Sequence, residues 1–167
     1  MKALVIYESM FGNTAAVARA VGDGLSGRFD VTVAEVRTAP PVQGNDLIVV
    51  GGPTHAFGMT RPASRRDAVR QGATGDATTG IREWLSTTAH LAGVPAATFD
   101  TRVDKPLVGS AARKAHRTLR RLGCRMVMPA ESFFVTGTPG PLADGEQQRA
   151  RRWGETVAAS VGATVRS

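Results

Sequence analysis

At 167 residues, 42% hydrophobic and 21% charged, the chain has the size and composition of one soluble globular domain with a substantial core. No apolar run reaches the roughly 20 residues that span a bilayer, Lys2 and the short apolar run before Glu8 do not make a signal peptide, and the single cysteine, Cys124, excludes an internal disulfide and fits a reducing cytoplasm. The net charge of +7 favours acidic partners through long-range steering and does not by itself indicate nucleic acid.

The first element is an apolar strand, Ala3–Tyr7, which runs into the polar loop Ser9–Thr14. A helix with Val17, Val21 and Leu25 on one face follows. A strand buried on both faces, then hydroxyls and free amides, then a helix N-terminus, form a ready anion site. The loop has neither the Lys of a Walker A motif nor three spaced glycines. Any phosphate there must be held largely by neutral donors.

Further strands are expected at Val31–Val36, Leu47–Val50, Ala97–Phe99 and Arg125–Val135, the last interrupted by Pro129. Only Arg37–Asp46, with Pro40-Pro41, joins the second and third, which is too short for a proper helix and should leave one sheet face thinly covered. Residues 60–80 are the longest irregular stretch, with a short helix expected from Ser64 to Gln71, and could form a lid. Helical periodicity returns at Ile81, Trp84, Leu85 and Thr88, and at Ala112, Ala115, Leu119 and Leu122, where Gly123 suits a C′ position. Arg113, Arg117, Arg120 and Arg121 fall on other faces of that helix and read as a solvated stripe. Ala150, Trp153, Val157 and Val161 mark a last helix, with Asp144 and Gln147 at capping-box spacing. Both tryptophans read as core. This order implies an α/β domain over residues 1–167: a doubly wound parallel sheet of five strands, with helices on both faces.

Ligands of such sheets bind beyond the carboxyl ends of the strands, at the switch point. Three segments leave those ends: Ser9–Thr14, Gly51–Gly58, and Asp100-Thr101-Arg102 with Gly109-Ser110. They offer hydroxyls, amides, one His, one Arg and Phe57, but no paired carboxylates, metal-ligand spacing or nucleophile elbow. A flat ligand carrying a phosphate fits that set.

These residues carry a resemblance. Ser9-Met10-Phe11-Gly12-Asn13-Thr14 is similar to the phosphate loop of the flavodoxin family, roughly T/S-x-T/S-G-N/H-T, at Ser9, Gly12, Asn13 and Thr14. Gly51-Gly52-Pro53-Thr54 with Phe57-Gly58 resembles the second flavin loop, particularly that of flavodoxin-like quinone reductases, and Asp100-Thr101-Arg102 falls where the third would be. The chain thus resembles a short, basic flavodoxin-like protein of bacterial type over nearly its whole length. The resemblance implies strand order 2-1-3-4-5 and FMN as cofactor. It implies that Ser9, Thr14 and the amides of Met10, Phe11, Gly12, Asn13 and Thr14 hold the phosphate. Pro53, Thr54, His55, Ala56, Phe57 and Gly58 would lie against the isoalloxazine, and Asp100, Thr101 and Arg102 near its pyrimidine edge.

Two departures stand out: Phe11 replaces a hydroxyl, and the third segment lacks a stacking aromatic. Both should weaken FMN binding. Positive charge near the ring, Arg102 above all, should favour the anionic reduced flavin and give a less negative potential than in acidic flavodoxins. The function implied is electron transfer with a redox partner bearing an acidic docking face, without specific nucleic acid or membrane, as a monomer or weak homodimer. The alternatives are an NAD(P)H-dependent quinone or flavin reductase on the same fold, and a binding module that has lost FMN.

Overall fold

The structure, a computed structural model, describes residues 1–163; the last four residues of the expected domain lie outside it. Strands β1 (Lys2–Tyr7), β2 (Asp30–Glu35), β3 (Leu47–His55) and β5 (Pro95–Val103) run parallel in the order β2-β1-β3-β5. The fifth position is shared by two pieces, β6 (Arg125–Met126) and β7 (Glu131–Val135), both parallel to β5. Pro129 lies in the gap, where a missing amide donor cannot extend the ladder. The expected five-stranded order is therefore present, with its last strand split. A two-residue strand, β4 (Gly58–Met59), adds an antiparallel hairpin to β3.

Alternation along the strands divides the core. Ala3, Val5, Leu47, Val49, Ala97, Phe99 and Phe133 face helices α1 (Asn13–Leu25) and α5 (Glu146–Ala163). Phe99, Phe133 and Trp153 meet edge to face there, with centroids 6.0–6.2 Å apart. Gly51, beside Phe99 in the ladder, leaves room for that ring: a Cβ at Gly51 would come within 2.0 Å of it. The opposite set, Leu4, Ile6, Ile48, Val50 and Ala96, packs on α3 (Ile81–Thr87) and α4 (Ala111–Arg121). A single 3-10 turn, Val36–Thr38, stands in place of a crossover helix, and Val36 and Val42 cover the sheet face there.

Helix α4 ends as its glycine predicts. Gly123 has φ 95°, its N–H donates to Arg120 O and that of Cys124 to Leu119 O, the paired bonds of a Schellman motif. The start of α5 differs from expectation. The helix begins at Glu146, after Gly145 at φ 81°, so Asp144 stands one residue too early to cap it. Glu146 instead accepts the Phe134 N–H at 2.7 Å and binds Arg149 at 2.8 Å, a hydrogen bond that holds its carboxyl below the usual range.

Within residues 60–80, the stretch read as a possible lid, a buried side chain ties the chain to the core. Helix α2 (Pro62–Arg70) carries Arg65, whose side chain is fully buried. Its guanidinium donates to Glu83 at 2.6 and 3.2 Å, to Thr60 Oγ1 at 2.8 Å and to Ala77 O at 3.1 Å. Thr60 Oγ1 in turn donates to buried Glu8, which also accepts the Ile81 N–H at 2.9 Å. Burial pushes the Glu8 carboxyl above its ordinary 4.5, against those hydrogen bonds and the charge of Arg65. The folded chain thus keeps that proton to higher pH than the unfolded chain does. The stability it supplies is complete below pH 4.5 and is lost as pH rises through the folded value. Glu8→Gln, titrated with urea between about pH 5 and pH 8, is expected to flatten that part of the profile.

Candidate ligand-binding cleft

The carboxyl ends of β1, β3 and β5 meet at the switch point, and a cleft of about 230 Å³ opens above them. On its first side, Gly12 at φ 93° turns the chain into α1. Ser9 Oγ accepts the N–H of Gly12 at 3.1 Å and of Ala15 at 3.2 Å. The amides of Asn13 and Thr14 open the helix and have no acceptor within it. The buried Thr14 hydroxyl lies 2.7 Å from that of Thr101, which ties α1 to β5. Asn13 Nδ2 donates to Pro139 O at 3.2 Å. Met10 and Phe11 rest on Ala68 of α2 and on Ala73 just beyond it, and Met10 O accepts the N–H of Thr74 and Gly75.

The second side is the β3–β4 hairpin. Its two central residues, Ala56 and Phe57, have φ 45° and 72°, the region of a type I′ turn. Left-handed backbone costs a residue with a Cβ roughly 1–2 kcal/mol, and Phe57 is nonetheless 67% exposed. Gly109 holds the turn from below: it bridges Phe57, and a Cβ there would come within 2.2 Å of Phe57 O. Replacing Ala56-Phe57 with Asn-Gly, the residues this turn favours, is expected to stabilise the fold by about 1–2 kcal/mol in urea unfolding and to weaken binding in the cleft. His55 lines the same wall. Burial, aided by the charge of Arg65, lowers its pKa below the ordinary 6.5, so its imidazole is neutral at neutral pH.

The third segment is strand, not loop: β5 continues to Val103 and takes Asp100, Thr101 and Arg102 with it. Asp100 is fully buried under the cleft. Its Oδ2 accepts from Ser110 Oγ at 2.5 Å, from the Ala112 N–H at 3.0 Å and from Thr54 Oγ1 at 3.1 Å. Asp100 thus holds Ser110, the start of α4 and Thr54 from beneath the cleft and does not line it. Arg102 does line the cleft. Its guanidinium donates to Ser132 Oγ at 3.0 Å and to Gly109 O at 3.3 Å, and sits 5.6 Å from the Phe134 ring centroid.

Of the residues expected at the site, Met10, Phe11, Asn13, Thr14, Pro53, Thr54, His55, Ala56, Phe57, Thr101 and Arg102 come together around one cleft. Ser9 and Gly12 border a separate depression behind the loop, with Arg37 and Asp76. Gly58 and Asp100 lie beneath the surface. Val103, Val108, Val135 and Thr138 complete the lining. Thr138 had a sequence signal: it sits in Thr136–Pro141, a Thr/Gly/Pro turn leaving the carboxyl end of β7.

Among the described residues no carboxylate lines the cleft, and Arg102 is its one charged side chain at neutral pH. Hydroxyls of Thr14, Thr54, Thr101 and Thr138 and the amide of Asn13 mix with apolar walls from Met10, Phe11, Pro53, Phe57 and the valines. That donor set suits a flat ring system with an anionic tail. Among the described residues no group of His, Cys, Asp or Glu could hold a metal, and no helix is long and apolar enough to cross a membrane.

A doubly wound α/β chain with its cleft at the switch point has many solved counterparts. It is similar over 97% of its length to 99% of a flavodoxin from the domain Archaea, with 23% identity and a TM-score of 0.70. Oxidised flavodoxin 1 from Bacillus cereus matches over 98% of each chain at 18% identity and TM-score 0.67. A WrbA-like flavodoxin from Agrobacterium tumefaciens matches over 97% of this chain and 98% of its own, at 15% and 0.63. The chain has the flavodoxin fold. No protein-family profile and no curated protein matches its sequence.

Proposed function

We propose that the cleft binds FMN and that the chain is an electron carrier working with a separate redox partner. The observation that carries this reading is a cleft free of carboxylates, with the opening amides of α1 at one end and apolar walls at the other. Bound FMN would supply one- and two-electron redox chemistry. The residues would divide the binding. The Asn13 and Thr14 amides, the Asn13 side chain and the positive end of α1 meet the phosphate. Arg102, fixed by Ser132 and Gly109, keeps positive charge beside the ring and raises the potential of its anionic reduced form. Neutral His55 offers hydrogen bonding there and no stored proton at neutral pH.

Size favours the carrier over the reductase. At about 230 Å³ the cleft lies below the roughly 300–1,000 Å³ of sites that enclose a whole ligand. A flavin ring edge would reach solvent past Phe57, where a protein partner could exchange electrons with it. The solitary buried Cys124 agrees with work in a reducing cytoplasm.

Flavin fluorescence tests the site. FMN is expected to be quenched saturably, and Asn13→Asp to weaken it about tenfold or more, with a stability cost of about 1 kcal/mol for the lost Asn13–Pro139 hydrogen bond. A carboxylate in the first turn suits the helix and repels a phosphate. No quenching at high micromolar FMN would leave the binding-module reading in its place, and steady NADPH oxidation by the FMN-loaded chain with a quinone would establish the reductase.

A further inference from the structure

The net charge of this chain is not spread over it. Residues 101–130 contain eight cations (Arg102, Lys105, Arg113, Lys114, Arg117, Arg120, Arg121 and Arg125) and one carboxylate, Asp104. The rest of the sequence contains thirteen Lys and Arg against thirteen Asp and Glu. The whole of the +7 therefore belongs to one segment: the end of β5, the loop after it, α4 and the start of β6.

Five of these cations share a helix. At 100° per residue Arg113, Lys114, Arg117, Arg120 and Arg121 fall within an arc of about 120°, opposite Ala112, Ala115 and Leu119, which face the core. Among the described residues no ion pair includes any of the five, or Lys105. Arg117, Arg120 and Arg121 together line one open depression.

The upper end of this face adjoins the cleft. Ser110 caps α4 and binds Asp100 beneath the cleft, and the Lys114 side chain lies against Gly58 of the β3–β4 hairpin. Phe57 bridges Gly109, and Leu107, two residues before it, is 91% exposed on backbone at φ 62°. Two large apolar side chains thus project at the cleft mouth on left-handed turns, at the head of an unpaired basic face.

We propose that this surface docks an acidic redox protein: its apolar contact seats on Phe57 and Leu107, and its carboxylates track down α4 from Lys105 and Lys114 to Arg121. The inference rests on the carrier reading and locates the partner's side of it. A protein is favoured over a nucleic acid because the more exposed of the two contacts, Leu107, is aliphatic and has no ring to stack on a base, which leaves Phe57 as a single platform. An apolar centre with a charged surround is the anatomy of a protein interface, and the surround sets approach and register more than final affinity.

The test titrates the 15N-labelled chain, with and without FMN, with an acidic [2Fe–2S] ferredoxin as probe. Amide perturbations are expected at residues 56–58 and 104–109 and along the exposed face of α4. Affinity is expected to fall at least about tenfold between about 20 and 200 mM salt, as attraction between opposite charges requires. Leu107→Asp and the pair Arg117→Glu with Arg120→Glu should each weaken the ferredoxin about tenfold and leave FMN affinity unchanged. No ferredoxin binding at low salt, or a footprint elsewhere, overturns the proposal. So does tight binding of polyuridylate along Arg117–Arg121 that leaves Phe57 and Leu107 unmoved while the ferredoxin stays free. If FMN fails to bind but the ferredoxin footprint appears as described, the cofactor reading falls and the docking surface stands.

Discussion

Arg65→Ala is expected to cost about 3–5 kcal/mol, measured as a lower urea midpoint with the slope unchanged. Its guanidinium is completely enclosed and is the cation that serves Glu83 through two hydrogen bonds while also holding Thr60, the donor to buried Glu8. Truncation leaves Glu8 buried with no cation beside it. Glu83 reports the same loss from the other side. Burial raises its carboxyl, but the Arg65 hydrogen bond and charge outweigh that and hold it below its ordinary 4.5. The share of stability tied to Glu83 is present above pH 4.5 and disappears as pH falls through its folded value, so the variant should lose the acid limb of its stability profile. Arg65→Met should lose less, because it refills the space and leaves only the charges unmatched.

Asp100→Ala should cost about 3 kcal/mol and lower FMN affinity about tenfold or more. One carboxylate oxygen gathers Ser110 and the Ala112 amide at the start of α4 and Thr54 of β3, and sits at the positive end of α4. Its removal frees the Thr54 hydroxyl, which also accepts the Ala111 N–H, at the wall of the cleft. Equilibrium unfolding gives the first number and flavin quenching the second. Asp100→Asn keeps the shape and loses the charge, so it should fall between the variant and the parent in both. A tenfold loss of FMN without loss of stability would return Asp100 to direct ligand contact.

Short-range signals made most of this fold readable. The continuous apolar run Ala3–Tyr7, the helical spacing of Val17, Val21 and Leu25, and Gly123 as a helix stop are all local chemistry, and the structure has them in place. Strand lengths were less legible. Gly51, Gly52 and Pro53 look like loop residues, yet β3 runs through them because Gly51 must admit the Phe99 ring of the next strand. Asp100 looked like a ligand contact for the same reason: a polar residue at a strand end gives no local sign that the start of the next helix and Thr54 of β3 will enclose it. The anchoring of α2 depended on Glu8, Arg65 and Glu83, which are separated by more than a helix in sequence and met only on folding. The strain at Ala56-Phe57 was equally hidden, since neither residue favours a left-handed turn and only the hairpin register imposes it.

A net charge concentrated in one segment makes the molecule an electric dipole as well as a cation. In the field of an acidic surface a uniformly charged sphere would be drawn in but arrive in any orientation. A lopsided one also feels a torque. This chain would turn α4 and the cleft mouth forward while still separated by solvent, so much of the rotational search would be over before first contact. Moving the same net charge to the far side would keep the attraction and present the wrong face.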